Sequence, residues 1–318
     1  MALKIIASMG PSTLDPTTLP ELEKSGLNIA RLKSTFYSPK FLENTIKLIR
    51  RHSNLKIMVD LEGSEVRLYG EGKKSVKKGA GFWVGFKKNG GGFYFNHDFY
   101  DKLSEGNVLI YDKDGARMKV TKKTNHRVLL VSNKDTYLSK GKGFNPGKKS
   151  LVSGELSKKD LELMKTINKM RVEIVALSFV QSAKDVKALK KLLHKKAKIC
   201  SKIENHAGLK NLPEIVKVSD LVVVARGDLS AEFSPKNVPP IQKRIISVCK
   251  KLKKPVIVAS YILTSMKSNA FPMKAEISDI YNIAEQGADM IWMDSPTAVG
   301  KFPVQTIAVA RKTLDDIK

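Results

Sequence analysis

Short apolar runs recur eight times along this 318-residue chain, and each is followed by a segment of helical periodicity. The runs are Lys4–Ser8, Leu27–Leu32, Lys56–Leu61, Ile174–Ser178, Lys198–Ile203, Leu221–Arg226, Val256–Ser260 and Met290–Met293. Strands that are apolar on both faces and alternate with helices belong to a parallel sheet, because each parallel connection needs a crossover helix. The helices are predicted at Thr17–Ser25, Pro39–His52, Ser157–Met170, Ala183–Lys196, Leu209–Lys217, Val238–Leu252, Lys274–Gln286 and Val304–Ile317. Gly26 supplies a helix stop and Ser157 an N-cap. Eight βα units predict an α/β fold, a (β/α)8 TIM barrel.

The rhythm breaks once, after the third strand. From about Leu68 to Lys149 there are paired glycines, aromatics and short β-type runs such as Val108–Tyr111 and Arg127–Val131, with a turn signal at Asp114-Gly115. The expected organisation is a barrel of residues 1–67 and 150–318, with a small β-rich lid inserted at 68–149. Phe93, Tyr94 and Phe95 read as core of that insert rather than as a platform for bases.

Charge enters because it is extreme, +26 overall. Lys73 to Lys149 carries 18 basic and six acidic side chains, a net of +12. A lid closing over phosphates would use that charge, and so would a nucleic-acid surface; the second is the less favoured reading and stays open. Most of the remaining lysines are scattered over helix faces, as on a solvated surface. No apolar run approaches the ~20 residues of a membrane span. Cys200 and Cys249 fall in a predicted strand and helix, which suits reduced core residues and a cytoplasmic protein.

Polar residues gather where the strands end. Lys202 and Glu204 are two apart at the end of the fifth strand, so they share a face. The sixth strand empties into Arg226-Gly227-Asp228. A cation and two acids at neighbouring strand ends suit a divalent metal holding an anionic substrate. Taken alone, Lys202 and Glu204 fit an exposed ion pair equally well. The five histidines show no ligand spacing, and His206 reads as a structural neighbour.

Ser201-Lys202-Ile203-Glu204-Asn205-His206-Ala207-Gly208 and Val224-Ala225-Arg226-Gly227-Asp228-Leu229 resemble the active-site signatures of the pyruvate kinase family. Asn28–Leu32 is similar to the family's strand-two signature and Asp60–Arg67 to its strand-three signature; Leu177–Phe179, Lys243 and Gly287–Asp289 also fit. The resemblance implies phosphoryl transfer between phosphoenolpyruvate/pyruvate and ADP/ATP, with Mg²⁺ or Mn²⁺. It implies that Lys202 stabilises the phosphoryl group and the enolate, that Glu204 and Asp228 hold the metal, and that Arg31 and Arg67 neutralise phosphate oxygens. Ala225 and the amides of Gly227 and Asp228 would receive the substrate carboxylate, and Ser260 a proton or carboxylate contact. A monomer or homodimer is expected. The family's usual C-terminal effector domain is expected to be absent.

Departures from the family cluster on the nucleotide side. Lys33 stands where an asparagine is usual, Thr35 where a serine is, Leu61 for a threonine and Glu62 for a lysine. With Asp60 and Glu65, those positions would build the family's potassium site, and the Lys33 ammonium is expected to replace the ion. Ser260 replaces a threonine and Gln181 an arginine. Asp294-Ser295-Pro296-Thr297-Ala298-Val299-Gly300 departs from Ser-Gly-Glu-Thr-Ala-Lys-Gly. Such drift also fits a metal-dependent pyruvate or oxaloacetate enolate enzyme (a lyase or decarboxylase) on the same barrel, or a catalytically retired binding or regulatory protein.

Overall fold

The computed structural model describes residues 3–70, 72–87, 92–111, 115–145, 152, 154 and 156–317. Eight parallel strands close a barrel in chain order: β1 (Lys4–Ser8), β2 (Ile29–Lys33), β3 (Lys56–Leu61), β4 (Ile174–Leu177), β5 (Lys198–Ile203), β6 (Leu221–Ala225), β7 (Val256–Ala259) and β8 (Met290–Met293). β8 returns to β1 through the register Ile5↔Ile291.

Strand parity sorts the apolar residues into two cores. Outward residues such as Ile5, Ile57, Ile199, Val222, Val258 and Ile291 pack against the helices. Inward residues Ile6, Ile29, Met58, Ala176, Cys200, Val223, Ile257 and Met290 plug the barrel. Continuing the inward parity toward the C-terminal ends reaches Ser8, Arg31, Asp60, Ser178, Lys202 and Trp292. The same alternation that fills the barrel with apolar side chains thus delivers a polar layer at its mouth. Both cysteines are buried and unpaired.

Between β3 and the helix Lys158–Lys169, the strands Val66–Tyr69, Gly81–Gly85, Phe93–Phe95, Val108–Tyr111, Ala116–Thr124, Arg127–Ser132 and Gly143–Asn145 close a second barrel, mostly antiparallel. Lys73–Val76 pairs separately with Thr136–Ser139. Its core is aromatic, with Phe86 edge-on to Phe99 at 5.0 Å and Phe95 edge-on to Phe144 at 5.1 Å. Phe95 is buried there, and Phe93 and Tyr94 are half-buried. Lys73, Lys74, Lys77, Lys78, Lys119 and Lys122 are exposed, so much of the insert's charge is solvated surface. Val66–Tyr69 straddles the division expected after residue 67. We propose the same two-part organisation with that boundary moved to the loop before Val66; the expected boundary at 149/150 and Asp114 of the expected turn lie outside the described residues.

Two helices differ from expectation. The segment expected as Leu209–Lys217 forms two, His206–Lys210 and Leu212–Val218, separated at Asn211, because Pro213 suits a first turn but not a helix interior. Ala183–Leu192 stops four residues early: the Asn168 side chain donates to the Leu192 carbonyl at 2.8 Å and accepts from the His194 amide at 2.9 Å, taking the chain out of the helix. β7 ends at Ala259, one residue short, because Ser260 takes φ 74°.

A buried acid ties the two ends of the insert together. Asp160, in the first turn of Lys158–Lys169, accepts from the amides of Glu62 at 3.0 Å and Gly63 at 2.8 Å, the loop that leads into the insert. Ser157 caps the helix by accepting from the Asp160 amide at 3.1 Å. Burial pushes Asp160 up to about 6, against the pull of those amides. A carboxyl whose folded pKa exceeds its unfolded value binds its proton more tightly in the native state, so stability falls as pH rises from about 4 to about 6. We expect melting scans to show this loss in the wild type and a flatter profile in Asp160→Asn, at a lower overall melting temperature because one amide loses its acceptor. Identical slopes in the two proteins would refute the assignment.

Candidate active site

The mouth of the barrel and the near edge of the insert enclose a cavity of about 820 Å³. From the barrel it is lined by Arg31, Lys33, Asp60, Lys202, Glu204 and Asp228, and from the insert by Tyr69, Lys140, Lys142 and Asn145.

Lys202 is at its centre. The ammonium lies 3.0 Å from Glu204 Oε1 and 3.3 Å from Asp60 Oδ1, and donates to Ser178 Oγ at 2.8 Å. Burial works against its charge, but Asp60, Glu204 and Asp228 outweigh that and hold it above the usual lysine range. The alternative of an exposed ion pair is corrected here: the Glu204 side chain is fully buried and that of Lys202 only 12% exposed, because Lys202 stands on the inward face of β5 and Glu204 follows directly after its last residue. Asp60 also pairs through Oδ2 with Arg31, whose Nε is 3.2 Å away. Burial opposes ionisation of Asp60, yet Lys202 and Arg31 hold its carboxyl below the usual range.

Arg67 pairs with Glu65 and donates to the Gly141 carbonyl, while its buried Nε has no hydrogen-bond partner among the described residues. Lys33 makes no ion pair within 4 Å among the described residues, although it is in register with Asp60. Asp60 is already taken by Arg31 and Lys202. The Lys33 ammonium instead lies 5.8 Å from the Phe36 ring centre. Burial, then Arg67 and Arg31, depress it, with Glu65 and Asp294 pulling the other way. Thr35 has a buried Oγ1 with no hydrogen-bond partner among the described residues, and its carbonyl accepts from Lys159. Burial raises Glu65.

Ala225 lines the cavity, and the helix Arg226–Phe233 begins directly behind it. Gly227 and Asp228 therefore sit in a first turn, where amides lack intrahelical acceptors. Arg226 anchors that turn, reaching Asp279 through both terminal nitrogens at 2.8 Å and the Ser260 carbonyl at 2.5 Å. Ser260, in a left-handed conformation, also lines the cavity. His206 packs on Phe233, with ring centres 4.0 Å apart. Gln181 donates to the Val152 carbonyl at 2.8 Å.

Whether these residues suit a divalent cation is decided by Glu204. Its Oε2 accepts from the Phe179 amide at 2.6 Å, but Oε1 is buried beside the Lys202 ammonium with no hydrogen bond among the described residues. Burial pushes Glu204 up to about 8, with Asp228 adding to the rise and Lys202 opposing it. A buried carboxylate that a second carboxylate makes costlier to ionise suits a hard cation completed by substrate and water oxygens. Among the described residues no cluster of three or more metal-ligating side chains exists.

Ser8, Trp292 and Asp160 were not singled out as site residues in the sequence. The first two share the inward parity of Arg31 and Lys202 at the ends of β1 and β8, and that parity is the signal that finds them. Trp292 Nε1 donates to Ser8 Oγ at 3.1 Å, and its ring lies under Arg31 at 4.8 Å.

The fold and the pocket define a (β/α)8 barrel protein with a cavity at its C-terminal mouth lined by seven cationic and six acidic side chains, carrying a β-barrel insert after the third strand. Residues 2–307 match the family described as pyruvate kinase, barrel domain. The chain belongs to the pyruvate kinase family. It is 34% identical over 333 residues to a pyruvate kinase of Sporosarcina psychrophila, covering 99% of this chain and 56% of that relative. A pyruvate kinase of Borreliella burgdorferi is 32% identical, with 96% and 66% covered, and one of Pyrobaculum aerophilum 29% identical, with 99% and 71% covered. The chain thus spans little more than half the length of the first of these relatives. No described helix is long and apolar enough to cross a membrane.

Proposed function

We propose that the chain is a pyruvate-kinase-like phosphotransferase that moves the phosphoryl group of phosphoenolpyruvate to ADP, or to another nucleoside diphosphate. The observation that carries this reading is Lys202, buried as a charged group between Asp60 and Glu204 in a pocket flanked by two arginines. Phosphoryl transfer asks for positioning and fixed positive charge around the phosphoryl oxygens more than for covalent chemistry.

In this reading the ester P–O bond breaks as an oxygen of the acceptor's terminal phosphate bonds to phosphorus. Lys202 holds the phosphoryl oxygens and then the enolate oxygen left behind. Arg31 and Arg67 meet the phosphate charge. Glu204 and Asp228 would hold Mg²⁺ or Mn²⁺, which supplies further charge neutralisation between the two substrates. The first-turn amides of Gly227 and Asp228, behind Ala225, take the substrate carboxylate. The enolate gains a proton at carbon, and Ser260 is the hydroxyl nearest to that role by family pattern. Phe36, 71% exposed at the rim beside Lys33, offers a face for a nucleotide base. Two unpaired cysteines suit a reducing cytoplasm.

Lys33 is the counterpart of the family's monovalent ion in this reading. It places an ammonium beside Arg31 and Arg67, where Asp60 is already held by Arg31 and Lys202. A coupled pyruvate assay with phosphoenolpyruvate, ADP and Mg²⁺, run with and without potassium, tests both parts. We expect turnover that requires ADP and is indifferent to potassium, and a Lys33→Asn variant that becomes potassium-stimulated. Absence of ADP-dependent turnover would sink the phosphotransferase reading; wild-type turnover rising steeply with potassium would sink the role of Lys33 alone.

A further inference from the structure

We infer that Asp279 is a positioning residue of this site: from outside the cavity, and through Arg226, it fixes the strained turn that sets Ser260 at the cavity wall. This rests on the reading of Ser260 as the hydroxyl that carries the enolate's proton.

The turn is costly to hold. The ladder between β7 and β8 ends at Ala259 and Trp292, and the chain then leaves the barrel with Ser260, Tyr261 and Leu263 at φ 74°, 60° and 50°. None of the three is glycine, and side chains of this size take that conformation only where the surroundings impose it. Ser260, the first of them, lines the cavity.

Two anchors impose it. Downstream, Ile262, Leu263 and Met266 are buried, and the Ser265 amide donates to Glu276 Oε1 at 2.8 Å. At Ser260 the anchor is Arg226. Its Nε donates to the carbonyls of Ala259 at 3.3 Å and Ser260 at 3.0 Å, and a terminal nitrogen donates to the Ser260 carbonyl again at 2.5 Å. One edge of a guanidinium therefore holds the Ser260 peptide in its turned position.

Asp279 fixes that edge. Its two oxygens each accept from a terminal nitrogen of Arg226 at 2.8 Å, a two-point contact that sets the plane of the guanidinium as a single bond would not. Asp279 belongs to the helix Lys274–Glu285, three residues after Glu276, and does not line the cavity. Two acids about one helical turn apart thus tie down both ends of the turn. Without the Asp279 carboxylate, Arg226 loses its fixed plane, and Ser260 is free to relax toward an ordinary conformation.

The test compares wild type with Asp279→Asn, Asp279→Glu, Ser260→Ala and the double variant Asp279→Asn/Ser260→Ala. The readout is exchange of the methyl hydrogens of pyruvate in D2O with Mg²⁺ and ATP, followed by proton NMR well below each melting temperature. In that exchange a methyl C–H bond breaks and its electron pair passes to the carbonyl oxygen. Ser260 takes the proton as its own passes to water, and a deuteron returns by the same path. Asparagine keeps the shape of the side chain but turns a donor toward the guanidinium. Glutamate keeps the charge with one methylene more, and covers for asparagine if that variant folds poorly. We expect exchange to fall about a hundredfold in Ser260→Ala and at least about tenfold in both Asp279 variants, with the double variant no slower than Ser260→Ala. A merely structural Asp279 would lower the melting temperature and leave exchange by the folded protein unchanged. Exchange within about twofold of wild type in a folded Asp279 variant would overturn the inference, and so would an Asp279 loss that persists in full beside Ser260→Ala. Exchange untouched in Ser260→Ala would overturn the role of Ser260 and this inference with it. Absence of exchange in wild type would overturn this inference alone if ADP-dependent turnover remains, and the phosphotransferase reading as well if it does not.

Discussion

Lys202→Met is expected to lower phosphoryl transfer by at least about a thousandfold while leaving the barrel folded, since removing one preorganised charge from a water-poor site costs about 10²–10³ in turnover and this cation serves both the phosphoryl group and the enolate. Its effect on the fold should be smaller than the burial of its partners suggests. Breaking a buried ion pair by removing one member costs about 3–5 kcal/mol when the other member is left charged and alone. Here neither carboxylate is left so. Asp60 retains Arg31 through two of its nitrogens, and Glu204, already pushed up to about 8, is mainly protonated at neutral pH and the more so once the ammonium is gone. The stability loss should therefore be at or below about 3 kcal/mol. The paired measurements are turnover in the pyruvate assay and a urea melt of the same preparation. Retention of more than a tenth of wild-type turnover by a folded variant would remove Lys202 from the chemistry; a variant that does not fold would show that its neighbours need it structurally.

How far the sequence carries follows from strand parity. The inward stripe of β5, through Cys200, Lys202 and Glu204, is readable because one strand contains both the plug and the polar end. The same holds for Arg31 on β2 and Asp60 on β3, and the eight-unit rhythm was legible because parallel strands are apolar on both faces. What the sequence hides is pairing between strands. Nothing local to Arg31 indicates that its terminal nitrogens are divided among β1, β3 and the residue after β8, since those partners are 23, 29 and 263 residues away. Lys33 shows the same limit: proximity to Asp60 followed from register, but the competing claims of Arg31 and Lys202 on that carboxylate did not. Closure of the insert was hidden for another reason. Its strands are short, and the Gly63-Ser64 turn before Val66–Tyr69 reads like any loop at a strand end rather than as a change of domain.

Glu204→Gln is expected to remove the response to divalent metal and, without metal, to make the protein less sensitive to alkali. The Glu204 carboxyl has a folded pKa near 8 against an ordinary value of 4.5, so the native state holds its proton more tightly than the unfolded chain does. Its contribution to stability is accordingly lost as pH rises from about 4.5 to about 8, and above that the ionised form is a net cost. Glutamine keeps the acceptor for the Phe179 amide and cannot ionise, so in chelator the variant should match or exceed the melting temperature of wild type at pH 8.5. Adding Mg²⁺ should reverse the order. A cation that binds only the native state stabilises by mass action, and it does so most where the carboxylate is already ionised. Wild type should therefore gain melting temperature with Mg²⁺ more at pH 8.5 than at pH 6, and Glu204→Gln should gain little at either. In the pyruvate assay the variant should lose at least about a hundredfold in turnover at saturating Mg²⁺. A Mg²⁺ response of wild-type size in Glu204→Gln would place the cation elsewhere, and an equally large response in Asp228→Asn would dismiss the second carboxylate as well.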